Sequence, residues 1–278
     1  MKRKSVPKME ELKSVLREAF GGSSSDSDGE SSHEWRRRLQ INDSSDEIVK
    51  PPSIFEDPQI WEAIAEINGL WICRDFLSSV QQSSLLSALE KEGYFAEDSH
   101  NQAMRFGDLP PWAIDLSQYI RENVLLSDCL SESTDLSRSD KSGTTCPFAP
   151  ELLWREPLFN QLIVNIYQPG EGICAHVDLM RFEDGIAIVS LESSCVMHFS
   201  LAEAEYKNAE EVNREFAKIP VLLTPGSLIL MWGEARYLWK HEINRKPGFQ
   251  KWDGHDIDQK RRTSVTLRRL CGQTEPTQ

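Results

Sequence analysis

From Gln161 onward the chain is a succession of short apolar runs broken by turn residues, and this limits the folds open to it. "QLIVNIYQ" stops at Pro169-Gly170, and "GICAHVD", "GIAIVSLES", "CVMHFSL", "PVLLTPGSLILMW", "ARYLWKHEI" and "RTSVTLRRL" follow in order. Runs of this length and composition, punctuated by Gly, Pro, Asn and Ser, predict strands. The preceding hundred residues are patterned differently. "DPQIWEAIAEI", "SSVQQSSLLSALEKEGYF" and "PPWAIDLSQYIRENVLL" carry apolar residues at helical spacing, and the second has Ser and Gln at its start and Gly93 at its stop. "GLWICRDFL", between the first two, reads as a strand leading into a helix. Helices followed by many short strands predict an α+β domain, with a barrel or sandwich flanked by helices.

The remainder of the 278 residues reads as polar accessory chain. Met9, Leu12, Leu16 and Phe20 have the spacing of a short helix over about 9–20, but "GGSSSDSDGESSHE" has no apolar residue and predicts disorder. Residues 1–50 are therefore expected to be a mostly disordered tail, with Arg36–Arg38 solvated, and residues 51–278 the folded domain. "SDCLSESTDLSRSDKSGTTCPFAP", residues 127–150, predicts an exposed loop. No run of 18 apolar residues is present, so no membrane span is expected, and the basic N-terminus lacks the apolar stretch of a secretory signal. Six cysteines without a CxxC read as reduced thiols of a cytoplasmic or nuclear protein, with no zinc site and no disulfide frame. The formal net charge is −13; residues 1–50 hold ten basic and ten acidic side chains, so the folded part carries all of it. That balance argues against tight, non-specific binding to a phosphate backbone.

Against this background "CAHVD" (Cys174 to Asp178) is anomalous. His176 and Asp178 are two residues apart in a strand-like run, so they point the same way, and unpartnered charge is costly inside a protein. His241 lies in a later strand. Two His and one carboxylate can occupy one face of Fe(II) and leave three positions open for a cosubstrate and O₂. An HxD alone is a weak signal. Two further groups accompany it. Asn165 and Tyr167, in "NIY", share a strand face, as do Arg262 and Arg268, which bracket "RTSVTLR". A buried arginine pair calls for anions, and a dicarboxylate would supply them. The other reading of the arginines is a solvated edge strand.

The ordered set "NIY…HVD…H…RTSVTLR" resembles the AlkB family of Fe(II)- and 2-oxoglutarate-dependent dioxygenases over about residues 70–270. The family's R-x-N-x-T-x-R appears as Arg262-x-Ser264-x-Thr266-x-Arg268, with Ser in place of Asn. "YQPGEGICAHVDLMRFEDGIAIVSL" and "GEARYLWKHEI" look most like the oxygenase domain of AlkB homologues that hydroxylate modified wobble uridines in tRNA. The resemblance implies a double-stranded β-helix (jelly-roll) dioxygenase core with flanking helices. It implies that His176, Asp178 and His241 bind iron and form the catalytic centre, and that Asn165, Tyr167, Arg262, Ser264, Thr266 and Arg268 contact or frame 2-oxoglutarate, Arg268 at its distal carboxylate. The implied reaction uses O₂ and couples decarboxylation of 2-oxoglutarate on iron to hydroxylation of a bound substrate. A hydroxylated N-methyl group collapses to an aldehyde and a bare nitrogen; a carbon-linked group stays an alcohol. The implied substrate is a modified nucleobase, with RNA, and tRNA within it, favoured. An oxygenase acting on protein or a small molecule, and a non-catalytic interaction protein, are the alternatives. A protein partner of the tail stays open.

Several residues have blander readings. Cys174 reads as small core packing, His198 and His255 as structural or exposed, and Phe182, Tyr237 and Trp239 as strand core. The segment "HNQAMRFGDLPPW" (100–112) lies where AlkB proteins carry substrate-recognition loops, with Arg105 as a surface residue.

Overall fold

The computed structural model of the protein describes residues 59–94, 101–131, 146–202, 218–246 and 248–272. The predicted tail and its short helix lie outside these residues. Thirteen strands are assigned: β1 (Trp61–Ala63), β2 (Leu70–Cys73), β3 (Gln102–Phe106), β4 (Gln161–Tyr167), β5 (Ile173–His176), β6 (Ile186–Leu191), β7 (Cys195–Leu201), β8 (Ile219–Leu223), β9 (Leu228–Met231), β10 (Trp239–Ile243), β11 (Lys251–Trp252), β12 (His255–Asp256) and β13 (Arg262–Arg268). Among the described residues the helices are α1 (Ser79–Lys91), α2 (Pro111–Ser131) and two single turns, α3 (Pro150–Leu153) and α4 (Glu234–Tyr237). A major sheet runs β1-β2-β9-β6-β13-β4-β3 and a minor sheet β5-β10-β7-β8, with every described pairing antiparallel. This is the jelly-roll core with flanking helices that the resemblance implied. Among the described residues no helix is long and apolar enough to cross a membrane.

The helices form where the sequence has both a stripe and a stop. Ser78 caps α1 through a box in which the Gln81 amide donates to its Oγ at 3.3 Å and Gln81 Oε1 accepts from its amide at 2.8 Å. In α2, Trp112, Leu116, Ile120 and Val124 recur every fourth residue and are all buried. Their stripe, with Leu85 and Leu89 of α1, packs on the outer face of the major sheet against Leu162, Val164, Val189, Leu228, Val265 and Leu267. A second core lies between the sheets, where Ile188, Met197, Phe199, Val221, Ile229 and Ile243 meet. The major sheet is thus covered on both faces. β6 is buried at all six positions and β13 at its first six, whichever way each side chain points.

Four expectations are corrected. "DPQIWEAIAEI" does not yield a helix: Trp61–Ala63 pair with β2, and the Ile64 amide donates to Leu70 O at 3.0 Å to close the connecting turn, so sheet pairing overrides the local pattern. "PVLLTPGSLILMW" divides at Thr224–Ser227 into β8 and β9, which belong to different sheets. The first residues of the loop expected over 127–150 are helical, because α2 continues to Ser131, and residues 132–145 of that segment lie outside the described residues. Residues 102–106, read as part of a recognition loop, form β3 by pairing with β4 from Gln102↔Asn165 to Phe106↔Gln161.

Candidate metal centre and cosubstrate pocket

The antiparallel register of β5 and β10 sets His176 directly opposite His241. The two rings lie 4.3 Å apart between centroids. Asp178 follows two residues after the end of β5. It sits in the connection to β6 and so outside the strand where sequence reading put it. One ligand atom from each of the three falls within 4.8 Å of the others. His176 Nδ1 lies 2.8 Å from the Cys174 carbonyl; as donor to it, the ring keeps Nε2 bare for a metal. Asp178 commits Oδ1 to Arg268 and turns Oδ2 toward His241 Nε2 at 3.8 Å. An octahedron with bonds of about 2.1 Å has edges of about 3 Å, so that pair needs to close by less than about 1 Å on a metal. His241 is buried. Burial pushes its pKa down to about 4, helped by His176 and opposed by Asp178. A neutral imidazole is the form a metal takes. The donor set fits a divalent ion of the iron type.

A cavity of about 300 Å³ opens from this triad into the space between the sheets. Alternate residues of β13 line it: Arg262, Ser264, Thr266 and Arg268, with Asn165 and Tyr167 of β4 beside them. The arginines occupy different places. Arg268 pairs with Asp178, and its guanidinium stands 4.5 Å from the Phe182 ring centre. Burial lowers its pKa, opposed by Asp178. Arg262 lies six residues away, about 20 Å along the strand. It is 3% exposed and donates from Nε to Ser190 Oγ at 2.9 Å, while Nη1 and Nη2 are buried without a protein partner. Two unsatisfied charged donors at the wall of a cavity leave room for one bidentate carboxylate. Tyr167 faces this guanidinium at 5.5 Å, and burial raises its pKa, with Arg262 pulling the other way.

The comparisons with known proteins fit this arrangement. A profile of the 2OG-Fe(II) oxygenase superfamily matches residues 69–268. The chain belongs to that superfamily. It is an oxygenase of the AlkB type, with Fe(II) as cofactor and 2-oxoglutarate and O₂ as cosubstrates. It is 31% identical over 182 residues to the tRNA (carboxymethyluridine(34)-5-O)-methyltransferase alkbh8 of Xenopus tropicalis, covering 63% of this chain and 25% of that one. It is 34% identical over 216 residues to the uncharacterized protein L905 of Acanthamoeba polyphaga mimivirus, covering 73% and 86%. It is 27% identical over 227 residues to the alkylated DNA repair protein ALKBH8 homolog of Arabidopsis thaliana, covering 73% and 59%. The oxygenase spans a quarter or less of the animal relatives' length.

The structure gathers every sequence-predicted site residue at one cavity and gives the two arginines different surroundings. Arg268, expected at the cosubstrate's distal end, pairs with Asp178, while Arg262 keeps Nη1 and Nη2 buried without a partner. Cys174, expected in the core, is exposed. Phe182 is buried as expected, Trp239 is half-buried, and Tyr237 is 36% exposed. His198 is buried on β7 and His255 exposed on β12, both away from the triad. Arg105 is a surface residue that reaches Tyr94 and Glu92. Three residues of the site escaped sequence reading. Gln102 donates from Nε2 to Asn165 Oδ1 at 2.7 Å, which leaves the Asn165 amide nitrogen facing the pocket as donor. Ser190 fixes Arg262, and Arg236 holds the loop behind Asp178. Of these only Arg236 left a trace in the sequence, as an arginine inside the otherwise strand-like "ARYLWKHEI".

Proposed function

We propose that this oxygenase hydroxylates a modified nucleobase in RNA, tRNA being the favoured carrier, with His176, Asp178 and His241 as the iron ligands. The observation that carries the catalytic part is the buried, unpartnered Nη1 and Nη2 of Arg262 in the cavity that opens from the triad. Arg262 takes the distal carboxylate of 2-oxoglutarate, with Ser190 setting the plane of its fork and Tyr167 backing it. The Asn165 amide donates to the cosubstrate, and Ser264 and Thr266 line its path. Arg268 holds Asp178 turned so that a single oxygen faces the metal. Iron, when bound, supplies the oxidation that joins decarboxylation of 2-oxoglutarate to hydroxylation of the substrate.

Two features support a base as substrate. Relatives carry the name of a methyltransferase acting on carboxymethyluridine 34 of tRNA. The cavity mouth is also lined for a flat, weakly polar group. Gln102 lines the cavity, and Met104 and Phe106, on the same face of β3, are about half exposed. Leu179 and Met180, in the loop after β5, are exposed, and the Arg181 guanidinium of that loop stands 5.5 Å from the Phe106 ring centre. Such a rim can hold a splayed base by stacking.

Incubation of total tRNA with the iron-loaded protein, 2-oxoglutarate and O₂ tests the reading, with nucleosides measured by mass spectrometry and succinate in parallel. The expected result is one modified uridine that gains an oxygen or loses a methyl group in step with succinate. Succinate formation driven by a peptide or metabolite, with tRNA nucleosides unchanged, would transfer the same chemistry to a protein or small-molecule substrate.

A further inference from the structure

We infer that Arg236 is a positioning residue for the carboxylate ligand: it holds the loop that carries Asp178 in the geometry in which that carboxylate meets the two histidines. This rests on the reading of His176, Asp178 and His241 as iron ligands.

The histidines are placed by sheet pairing, because each lies in β5 or β10 and the strands zip them together. Asp178 has no such support, since β5 ends at His176. The crest of its loop contributes little, because Leu179 and Met180 are 59% and 64% exposed. What holds the loop from within is Arg236, which is 1% exposed and the largest fully buried side chain among the described residues. Its Nη1 donates to the Asp178 carbonyl at 2.9 Å, and its Nη2 to the carbonyls of Leu179 at 2.8 Å and Phe182 at 3.2 Å. No carboxylate among the described residues lies within ion-pairing distance of it. A guanidinium buried so completely is costly unless something compensates, and here three main-chain dipoles do so. Fixing the Asp178 carbonyl fixes the direction in which its side chain leaves the backbone. The far end of the loop is tied to the same turn, for the Asp184 carboxylate accepts from the Gly233 amide at 3.0 and 3.1 Å, one residue before α4 begins. The planar fork is what allows one side chain to span three carbonyls; the point-like ammonium of lysine cannot.

Arg155 provides the comparison. It too is a mostly buried arginine tied to this region, but at the outer end, through Glu183 Oε2 at 3.1 Å and the Asp184 carbonyl at 2.8 Å. Metal-free wild type, Arg236→Lys, Arg155→Lys and Asp178→Ala are titrated with Co(II), following its ligand-field absorption below the lowest unfolding midpoint of the set. Groups that orient metal ligands typically contribute about 10–100-fold to metal affinity. Arg236→Lys is expected to weaken Co(II) binding by at least about ten-fold, to alter the absorption bands, and to speed tryptic cleavage after the exposed Arg181 in the metal-free protein. Arg155→Lys is expected to lower the melting temperature and leave Co(II) affinity unchanged. Unchanged affinity in a folded Arg236→Lys protein would overturn the inference, as would equal weakening in both lysine variants. If Arg236→Lys does not fold, Asp184→Asn, which loosens the same turn from the other side, carries the test with the same outcomes. Wild type that binds no Co(II) would instead remove the metal site on which the inference stands.

Discussion

Arg262 and Arg268 come from the same heptapeptide and the same strand face, yet Arg268 pairs with Asp178 while Arg262 keeps two guanidinium nitrogens without a partner. Arg262→Met removes the only charged donors offered to the distal end of the cavity among the described residues. The loss of a buried charged contact is on the order of 3–5 kcal/mol, so the KM for 2-oxoglutarate should rise by two orders of magnitude or more while metal affinity holds. Arg268→Met leaves the buried Asp178 carboxylate without its partner. The metal-free protein should lose about 3–5 kcal/mol of stability, and a saturating divalent metal should restore part of it by binding the freed carboxylate. Steady-state kinetics and calorimetric unfolding with and without metal separate the two variants; a shared KM effect with no stability change would reject the division. The cysteines divide by exposure. Burial pushes the Cys73 thiol up to about 12 and also raises Cys195, whereas Cys174 and Cys271 are exposed. A raised thiol pKa means almost no thiolate at pH 8, so iodoacetamide should label Cys174 and Cys271 quickly and Cys73 and Cys195 only on unfolding, as peptide mass spectrometry would show.

At the level of elements, the placing of the two proposed histidine ligands is as good as the fit between β5 and β10. Gly172, just before β5, runs so close to β10 that a Cβ there would lie 2.0 Å from the Ile243 carbonyl oxygen. Backbone cannot yield as a flexible side chain can, so Gly172→Ala must push the strands apart next to the His176–His241 pair. A loss of about 1–3 kcal/mol and weaker metal binding are expected together, measured by thermal unfolding and Co(II) titration. Wild-type affinity in this variant would show that the pair tolerates a displaced strand. The same dependence on neighbours explains what the sequence could and could not disclose. α1 was legible because Ser78 and Gly93 bracket its stripe, and the body of α2 because its stripe repeats over four turns. The alternation of Arg262, Ser264, Thr266 and Arg268 was legible because a strand repeats every two residues. β1 and β3 were not, because each becomes a strand only through the edge of β2 or β4 that it meets. The different surroundings of the two arginines were hidden for the same reason. They depend on the loop after β5 folding back onto Arg268, which no local pattern announces.

For the whole molecule, charge decides how substrate is met. Residues 51–278 carry the full −13, and Arg181, in the loop after β5, is already set against the rings of Phe106 and Phe182. An RNA substrate would therefore be held mainly through the base, with few phosphates neutralised. Each phosphate contact contributes a slope of about 0.7–0.9 in log affinity against log salt, and a slope near that of one or two contacts is expected between low and physiological salt. A slope of many contacts would indicate a basic groove formed by residues outside those described. The animal relatives are four or more times longer than the matched region, so this oxygenase unit is combined there with much additional chain.

β13 is bonded along both edges, to β4 and β6, and covered on both faces. Its amides can meet solvent deuterium only when the whole fold opens, whereas those of Leu179 and Met180 sit on a crest that can lift alone. Isotope labelling of the resting protein should therefore draw a boundary through the pocket. The wall that carries Arg262 to Arg268 keeps its hydrogens for as long as the molecule stays folded, and the strap that carries Asp178 trades its own with water in ordinary breathing.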